Sequence, residues 1–405
     1  MEPSPPLRRL AFGSCRKQTL PQTIFDAITA ARPDVWLWTG DAVYPTSPTT
    51  PQRLHEAYAL AAPADARLHA AVPIVDGVYD DHDFGENDGG RHNPLRHVAR
   101  TLFLDNALRA SAADSRRTAA AGAYASRSYG TPPRQVKVLL LDTRWARDDH
   151  AIPSVGASPR LFKPGYCAAL LRLASAALGV GRDHAGRVLA EEQWEWLERE
   201  LVNSSAAAHL VVSSVQVLTS SPLVESWAHF PRERRRLLRL LARAAPPATL
   251  LLSGDVHYAE LLGPPPHLLE ATSSGLTHSC GEHWVGALAC RLVLRLFSSH
   301  RLGGGSYTGL NFGSIDFDWE GASMRLRLHG HDGAVVLSHS LPLGASAAEE
   351  ARRWRAAELM PSVFDVAAPV CAALLAVGGV MLLLLLLLLR RAQRARRGGR
   401  KHHPL

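Results

Sequence analysis

Val35-Trp-Leu-Trp-Thr-Gly-Asp-Ala-Val-Tyr44 decides how this chain is read. Four large apolar residues run into a glycine, a carboxylate and, three positions later, a phenol. Apolar residues at every position fit a strand buried on both faces. Gly40 lets the backbone turn tightly, so Asp41 can stand at the strand's end as a hard oxygen ligand. Taken alone, Gly-Asp after a strand is more often a turn. The same grammar recurs in Phe12-Gly-Ser-Cys-Arg16, Tyr79-Asp-Asp-His-Asp83, Leu141-Asp-Thr-Arg144 and Ser253-Gly-Asp-Val-His-Tyr258. In an α/β sheet, ligands bind beyond the carboxyl ends of the strands, so the five segments are expected to share one crevice.

Outward from this stretch, Leu7–Phe12, Val72–Val78, Val136–Leu141, Leu210–Val215 and Thr249–Leu252 are further short apolar runs with polar or glycine punctuation. Thr23–Ala31, Glu191–Val202 and Glu233–Ala244 carry the helical period, and Pro231 suits the first turn of the last. Ile315–Trp319, Ser323–Leu328 and Ala334–His339 alternate as late antiparallel strands, with His329–Gly333 as a turn. Two sheets face to face with helices outside fit this order. Ala151–Arg187 shows no regular pattern, and Pro264–Pro266 and Gly303–Gly305 read as loops.

The 405 residues suffice for one large α/β domain, placed at 1–348. Of the formal charge of +8, seven units lie in the last sixteen residues, leaving the body near neutral. A nucleic-acid binder carries its basic footprint on the folded body, so no such patch is expected. Five scattered cysteines contain no C-x-x-C framework; a Cys280–Cys290 bridge is compatible with the spacing and nothing more.

Val366–Leu389 is an uncharged run of 24 residues ending in unbroken leucine. As a helix it would extend roughly 36 Å, enough for a hydrocarbon core of about 30 Å. It reads as a single transmembrane helix after a linker at 349–365, with a basic tail at 390–405. The tail charge places the C-terminus in the cytosol and the domain on the extracytoplasmic or lumenal side. Residues 1–15 contain no apolar signal core, which leaves two readings: a truncated start, or a tail anchor with a cytosolic domain. The sequon Asn203-Ser204-Ser205 favours the outside.

The chemistry points to metal-dependent hydrolysis. Tyr44 would bring a phenolate to the locus of Asp41. Strand alternation would put Asp255 and His257 on one side, suited to one ion. Asp80-Asp81-His82-Asp83 followed by Asn87-Asp88 is the densest cluster, and adjacent carboxylates must be solvated, protonated or metal-bound. His82 would donate a proton to a leaving alkoxide. Cys15 could offer a thiolate to iron or zinc; a cysteine-nucleophile phosphatase would need an arginine about six residues on, where Pro21 stands. Arg144 either pairs with phosphate or salt-bridges to Asp142.

Nine ordered motifs carry a resemblance: Gly13–Arg16, Gly40–Tyr44, Asp80–Asp88, Leu141–Arg144, Glu191–Leu197, Ser213–Val217, Glu225–Arg234, Gly254–Glu260 and Ser273–His278. Together they resemble the PhoD-like alkaline phosphatases of the metallophosphoesterase superfamily, over roughly residues 8–340. The resemblance implies a four-layer α/β/β/α sandwich that hydrolyses phosphate mono- or diesters at iron plus calcium. It implies that Cys15, Asp41 and Tyr44 hold iron. Asp41 would bridge to calcium, with Asp255, His257 and a loop residue, Asp81 or Asn87, completing the site. His82 and Arg144 would meet the substrate phosphate. Tyr79 and Asp83 stand where many relatives have Trp and Glu, and the immunoglobulin-like domain of some bacterial members is missing. Two other readings are a phosphodiesterase of lipid or wall polymers and a catalytically silent, membrane-tethered binding protein on the same fold.

Overall fold

The computed structural model describes residues 5–152, 164–263, 268–282, 284–297, 301–343 and 362–398. It is a mixed α/β fold with two sheets. In chain order the strands are β1 (Arg9–Gly13), β2 (Val35–Thr39), β3 (Ile74–Val78), β4 (Ala125–Tyr129), β5 (Val136–Leu140), β6 (Ala208–Val212), β7 (Thr249–Ser253), β8 (Ala259–Leu262), β9 (Leu269–Ser273), β10 (Arg301–Tyr307), β11 (Asn311–Asp318), β12 (Ser323–Gly330) and β13 (Val335–Pro342). The helices are α1 (Ile24–Ala30), α2 (Pro51–Ala71), α3 (Asp81–Phe84), α4 (Arg96–Leu102), α5 (Pro164–Ala177), α6 (Glu191–Val202), α7 (Pro231–Ala244), α8 (Trp284–Leu296) and α9 (Val363–Gly398).

One sheet is ordered β13-β12-β11-β1-β2-β3 and the other β10-β8-β9-β7-β6-β5-β4. Within them β1, β2 and β3 run parallel, as do β5, β6, β7 and β9. Period-two alternation assigns each strand residue to a layer. Val35 and Leu37 of β2 enter the core between the sheets, beside Leu250 and Leu252 of β7. Trp36 and Trp38 point the other way, against Phe25 of α1 and Leu54 and Tyr58 of α2. Leu251 likewise leaves the inner core to meet Leu237 and Leu241 of α7 and Leu197 of α6. Each such fully buried side chain stabilises the fold by about 1.5–3 kcal/mol relative to exposure.

Several expectations need correction. Gly303–Gly305 lies within β10 rather than in a loop. Residues 329 and 330 belong to β12, so the expected turn starts two residues late. The Ala151–Arg187 stretch contains α5. Strands β8 and β9 escaped notice because Glu260, Glu270 and Thr272 break their apolar pattern. These side chains are buried but satisfied: Glu270 accepts the Val217 and Leu218 N–H groups at 2.8 and 2.6 Å. Helix α2 was hidden by its alanines and by Pro63; Thr50 caps it, accepting the Arg53 N–H at 3.2 Å. The predicted Pro264–Pro266 loop falls outside the described residues, as do most of the linker and the end of the basic tail.

The apolar C-terminal helix begins earlier than predicted. Val363, Phe364 and Ala367 are buried against Leu173 and Ala176 of α5 and Phe297 beyond α8. The stretch Val363–Leu384 has the length and hydropathy to cross a membrane. The body also carries one local basic face that net charge concealed. A groove of about 520 Å³ between α6 and α7 is lined by Arg232, Arg235, Arg236, Arg239 and Arg243. It contains none of the candidate site residues.

Candidate metal centre

The parallel strands of both sheets deliver their carboxyl ends to one place. Cys15 follows β1, Asp41 follows β2, Asp80 follows β3 and Asp255 follows β7. Two glycines permit the approach. A Cβ on Gly40 would lie 2.5 Å from the Cβ of Asp80, and Gly40 sits at φ +107°. A Cβ on Gly254 would lie 2.3 Å from Ser14 Oγ and 2.7 Å from the Thr39 carbonyl oxygen. The ligand-type residues themselves turn sharply: Cys15, Asp41, Asp255 and His257 all have φ between 52° and 71°. Left-handed backbone at non-glycine residues costs about 1–3 kcal/mol each and clusters at functional sites. Asp255 and His257 therefore share the site through a turn after β7, not through strand alternation.

Carboxylate oxygens of Asp41, Asp80, Asp81 and Asp255 lie within 4.8 Å of one another. A ring nitrogen of His82 comes equally close to Asp41 and Asp81. Asp80 Oδ2 and Asp81 Oδ1 are buried without a hydrogen-bond partner. Burial, followed by the charges of Cys15 and Asp81, pushes Asp41 well above the usual carboxylate range; burial and then Asp80 do the same to Asp255. Asp81 behaves differently. Burial opposes its charge, yet His82 and Arg144 draw it down to about 2, and the Asp88 N–H donates to it at 2.8 Å. Several buried carboxyl groups with idle oxygens and little counter-charge are a set of donors that fits cations.

The sulfur and phenol lie on the same side. Cys15 Sγ is 3.5 Å from Asp41 Oδ2, and the Tyr44 hydroxyl donates to that oxygen at 2.7 Å. Burial lifts the Cys15 thiol to about 12, so a cation is needed to hold it as thiolate. Tyr44 Oη is 3.3 Å from His257 Nε2, and its ring packs on His82 with centroids 4.1 Å apart. Burial keeps His82 and His257 below their ordinary value, hence neutral at pH 7. A neutral imidazole keeps one N–H and presents its other nitrogen as a ligand or proton acceptor.

The site rests on a shell of buried polar contacts. Asp83 accepts the Ala42 and Val43 N–H groups at 3.2 and 3.1 Å, and the Asp80 N–H at 3.1 Å, fixing the turn that carries Asp41. Arg16 donates to the Ala42 carbonyl at 2.6 Å while ion-paired with Asp65. The Arg144 guanidinium is fully buried and donates to Asp80 at 2.5 Å and to Glu225 at 2.8 and 3.2 Å. Neither partner is the one expected. Asp142 instead accepts the backbone N–H groups of Arg144 and Trp145 at 3.0 and 2.9 Å. Asn87 is exposed, and the loop enters the site through Asp80 and Asp81.

Three residues escaped the sequence reading. Asp80 was visible in the carboxylate run, whose repulsion applies to it as much as to Asp81. His278 closes the Ser273–His278 motif, and its ring lies 4.4 Å from that of His257 and 5.0 Å from Tyr44. Glu225 opens the Glu225–Arg234 motif, but its role depends on Arg144 reaching it from the turn after β5.

The sequence model of the PhoD-like phosphatase family matches residues 10–263, which include this cluster and exceed half the chain. The chain belongs to the PhoD-like phosphatase family. A solved structure titled "Structure of PhoD" aligns at a TM-score of 0.61 with 17% identity, covering 85% of this chain and 71% of that one. That likeness is one of fold. A dimetal phosphatase from Danio rerio aligns at a TM-score of 0.46 with 13% identity, over 84% of this chain and 100% of that one. No curated protein sequence matches. Membership makes this PhoD-like chain a phosphoesterase hydrolase with metal ions, and its acidic cluster is where they fit.

Proposed function

We propose that this chain is a membrane-anchored, four-layer metallophosphoesterase that hydrolyses phosphate mono- or diesters at iron and calcium. The observation that carries the reading is the convergence of Asp41, Asp80, Asp81 and Asp255 with two buried oxygens left idle. Cys15, Tyr44 and Asp41 would hold iron, whose trivalent form suits thiolate and phenolate. Asp41, Asp80, Asp81 and Asp255 would hold calcium through hard oxygens. His257 and His82 stand within reach of both sets. Cations held by these residues would supply Lewis acidity toward a phosphate ester and lower the pKa of water.

The chain's own residues do the rest. Asp83 and Arg16 hold the Asp41 turn. Arg144 fixes Asp80 and is a positioning residue, its fork already occupied by two carboxylates. His82, neutral against Tyr44, is placed to accept or relay a proton at a ring nitrogen. Helix α9 is read as the membrane span. The Cys280–Cys290 disulfide, the Asn203 sequon and the basic tail support a domain outside the cytosol.

Metal analysis of the purified chain, paired with phosphate release from a nitrophenyl monoester and the matching diester, tests the reading. Iron and calcium with turnover are expected. A folded chain free of metal and inert to both esters would instead favour a silent binding protein.

A further inference from the structure

Three helices share a satellite core beside the metal centre. Leu173 and Ala176 of α5, Phe297 beyond α8, and Val363, Phe364 and Ala367 of α9 pack together, with Val293 of α8 half-buried against them. The opposite face of α8 is bare, and so are two leucines at α5 and the turn after it. On α8, Leu288, Leu292 and Leu296 are 68%, 55% and 40% exposed. On α5 and the turn after it, Leu170 and Leu178 are 66% and 81% exposed. The spacing of four residues aligns the α8 leucines along one side of that helix. Exposed Arg291 and Arg295 alternate with the α8 leucines and have no carboxylate partner among the described residues. Aligned leucines flanked by arginines are the pattern of a helix that lies in a membrane interface.

We infer that α5 and α8 form an in-plane membrane-binding face, their leucines seated at the headgroup–acyl boundary of the bilayer that α9 enters. Continuity names the occupant: the bare leucines flank the foot of the apolar helix. Both helices are also tied to the metal centre. Cys290 of α8 is disulfide-bonded to Cys280, whose N–H donates to the His257 carbonyl at 2.9 Å. Arg172 of α5 pairs with Asp88, whose N–H donates to Asp81. Seating the leucines therefore holds the centre at the bilayer surface, and the substrate class that fits is a phosphate ester carried by a lipid headgroup. This inference rests on the phosphoesterase and membrane-span readings above.

The test uses the full chain in phosphatidylcholine nanodiscs whose acyl chains carry a diazirine. After irradiation, peptide mapping should find adducts on Leu288–Leu296 and Leu170–Leu178 as well as on α9. Adducts confined to α9 overturn the docking face. Discs that each hold two copies, with α8 unlabelled, also overturn it, in favour of a dimer interface. A chain that fails to enter discs, or enters with α9 unlabelled, shows instead that the span reading is wrong, and the docking face falls with it.

The paired variant Leu288→Asp with Leu292→Asp should lose the α8 adducts. Its turnover of a lipid-borne phosphate ester should fall roughly tenfold, with soluble nitrophenyl phosphate unchanged. An equal fall on both substrates would mean that the leucines support only the fold, and would sink the substrate class. Leu170→Asp with Leu178→Asp serves in the same way should the first pair misfold. Wild-type chain inert to both esters would fault the phosphoesterase reading, while the adduct map still decides the docking face.

Discussion

Two buried clusters of the same residue types stand on either side of Arg144, and they differ in what balances their charge. In the first, Asp41, Asp80, Asp81 and Asp255 crowd together with idle oxygens, and among the described residues only Arg144 pairs with them through a guanidinium. In the second, Asp88, His150 and Glu225 also lie close enough to grip an ion. There, however, Glu225 pairs with Arg144 and Arg147, and Asp88 pairs with Arg172. Burial and the adjacent arginines push His150 well below its ordinary value, so it accepts rather than donates charge. Both groups could hold an ion by ligand type and spacing; counter-charge separates one with carboxylate oxygens left without partners from one neutralised by the protein.

The largest expected effect breaks the first cluster. Asp41→Asn should lose bound metal and reduce phosphate release by several orders of magnitude, because it removes the donor common to both proposed ions. Full metal content with unchanged turnover would show that Asp41 is not the bridge. Next comes the second cluster. Glu225→Gln leaves Arg147 without its carboxylate and Arg144 with Asp80 alone, and should destabilise the fold by about 3–5 kcal/mol in denaturant titration. Metal content should be retained; loss of a stoichiometric ion would mean that the arginine-filled cluster also binds metal.

A smaller effect is expected from Arg144→Lys, which keeps charge but loses the fork joining Asp80 to Glu225. Disturbing a contact that orients a ligand typically costs about 10–100-fold in metal affinity or activity. Metal titration should show that loss, and an increase in KM alone would return Arg144 to direct contact with phosphate.

The clusters also differ in pH response. Burial and neighbouring charge raise Asp41, Asp80 and Asp255, and burial lifts Asp83 to about 7. A carboxyl group that holds its proton longer when folded costs stability as pH rises from about 4 through its folded value. Buried His82, His150 and His257 act in the opposite sense below about pH 6.5, so the comparison lies above it: metal-stripped protein should melt lower at pH 8 than at pH 7, and loading with metal should narrow that gap. A flat melting profile without metal would contradict the crowded, uncompensated picture of the first cluster. The smallest effect is Asn87→Ala. Exposed and outside the carboxylate group, it should change turnover by less than about twofold.

Much of this was readable in the chain because buried strands and ligand-bearing turns leave local marks. Val35–Thr39 reveals its two buried faces through uninterrupted large apolar residues. Gly40-Asp41 and Gly254-Asp255 reveal tight turns, since only glycine tolerates the approach found at each. Other features left no local mark. Glu260, Glu270 and Thr272 read as surface residues until partners from other strands satisfy them. Alanine-rich α2 shows no clear stripe. The burial that lowers the proton affinity of His82 has no local mark in the sequence.

The sequence by itself determined the donor inventory, the strand–turn grammar that presents it, and an apolar helix at the C-terminal end. Those follow from short-range rules of backbone freedom and hydrophobic period, which neighbouring residues suffice to express. Only the tertiary structure decided which carboxylates remain uncompensated, where Arg144 spends its fork, and which leucines stay bare beside α9. Each of these turns on charges or surfaces contributed by segments up to about two hundred residues apart, and electrostatics and burial depend on distance in space, not along the chain.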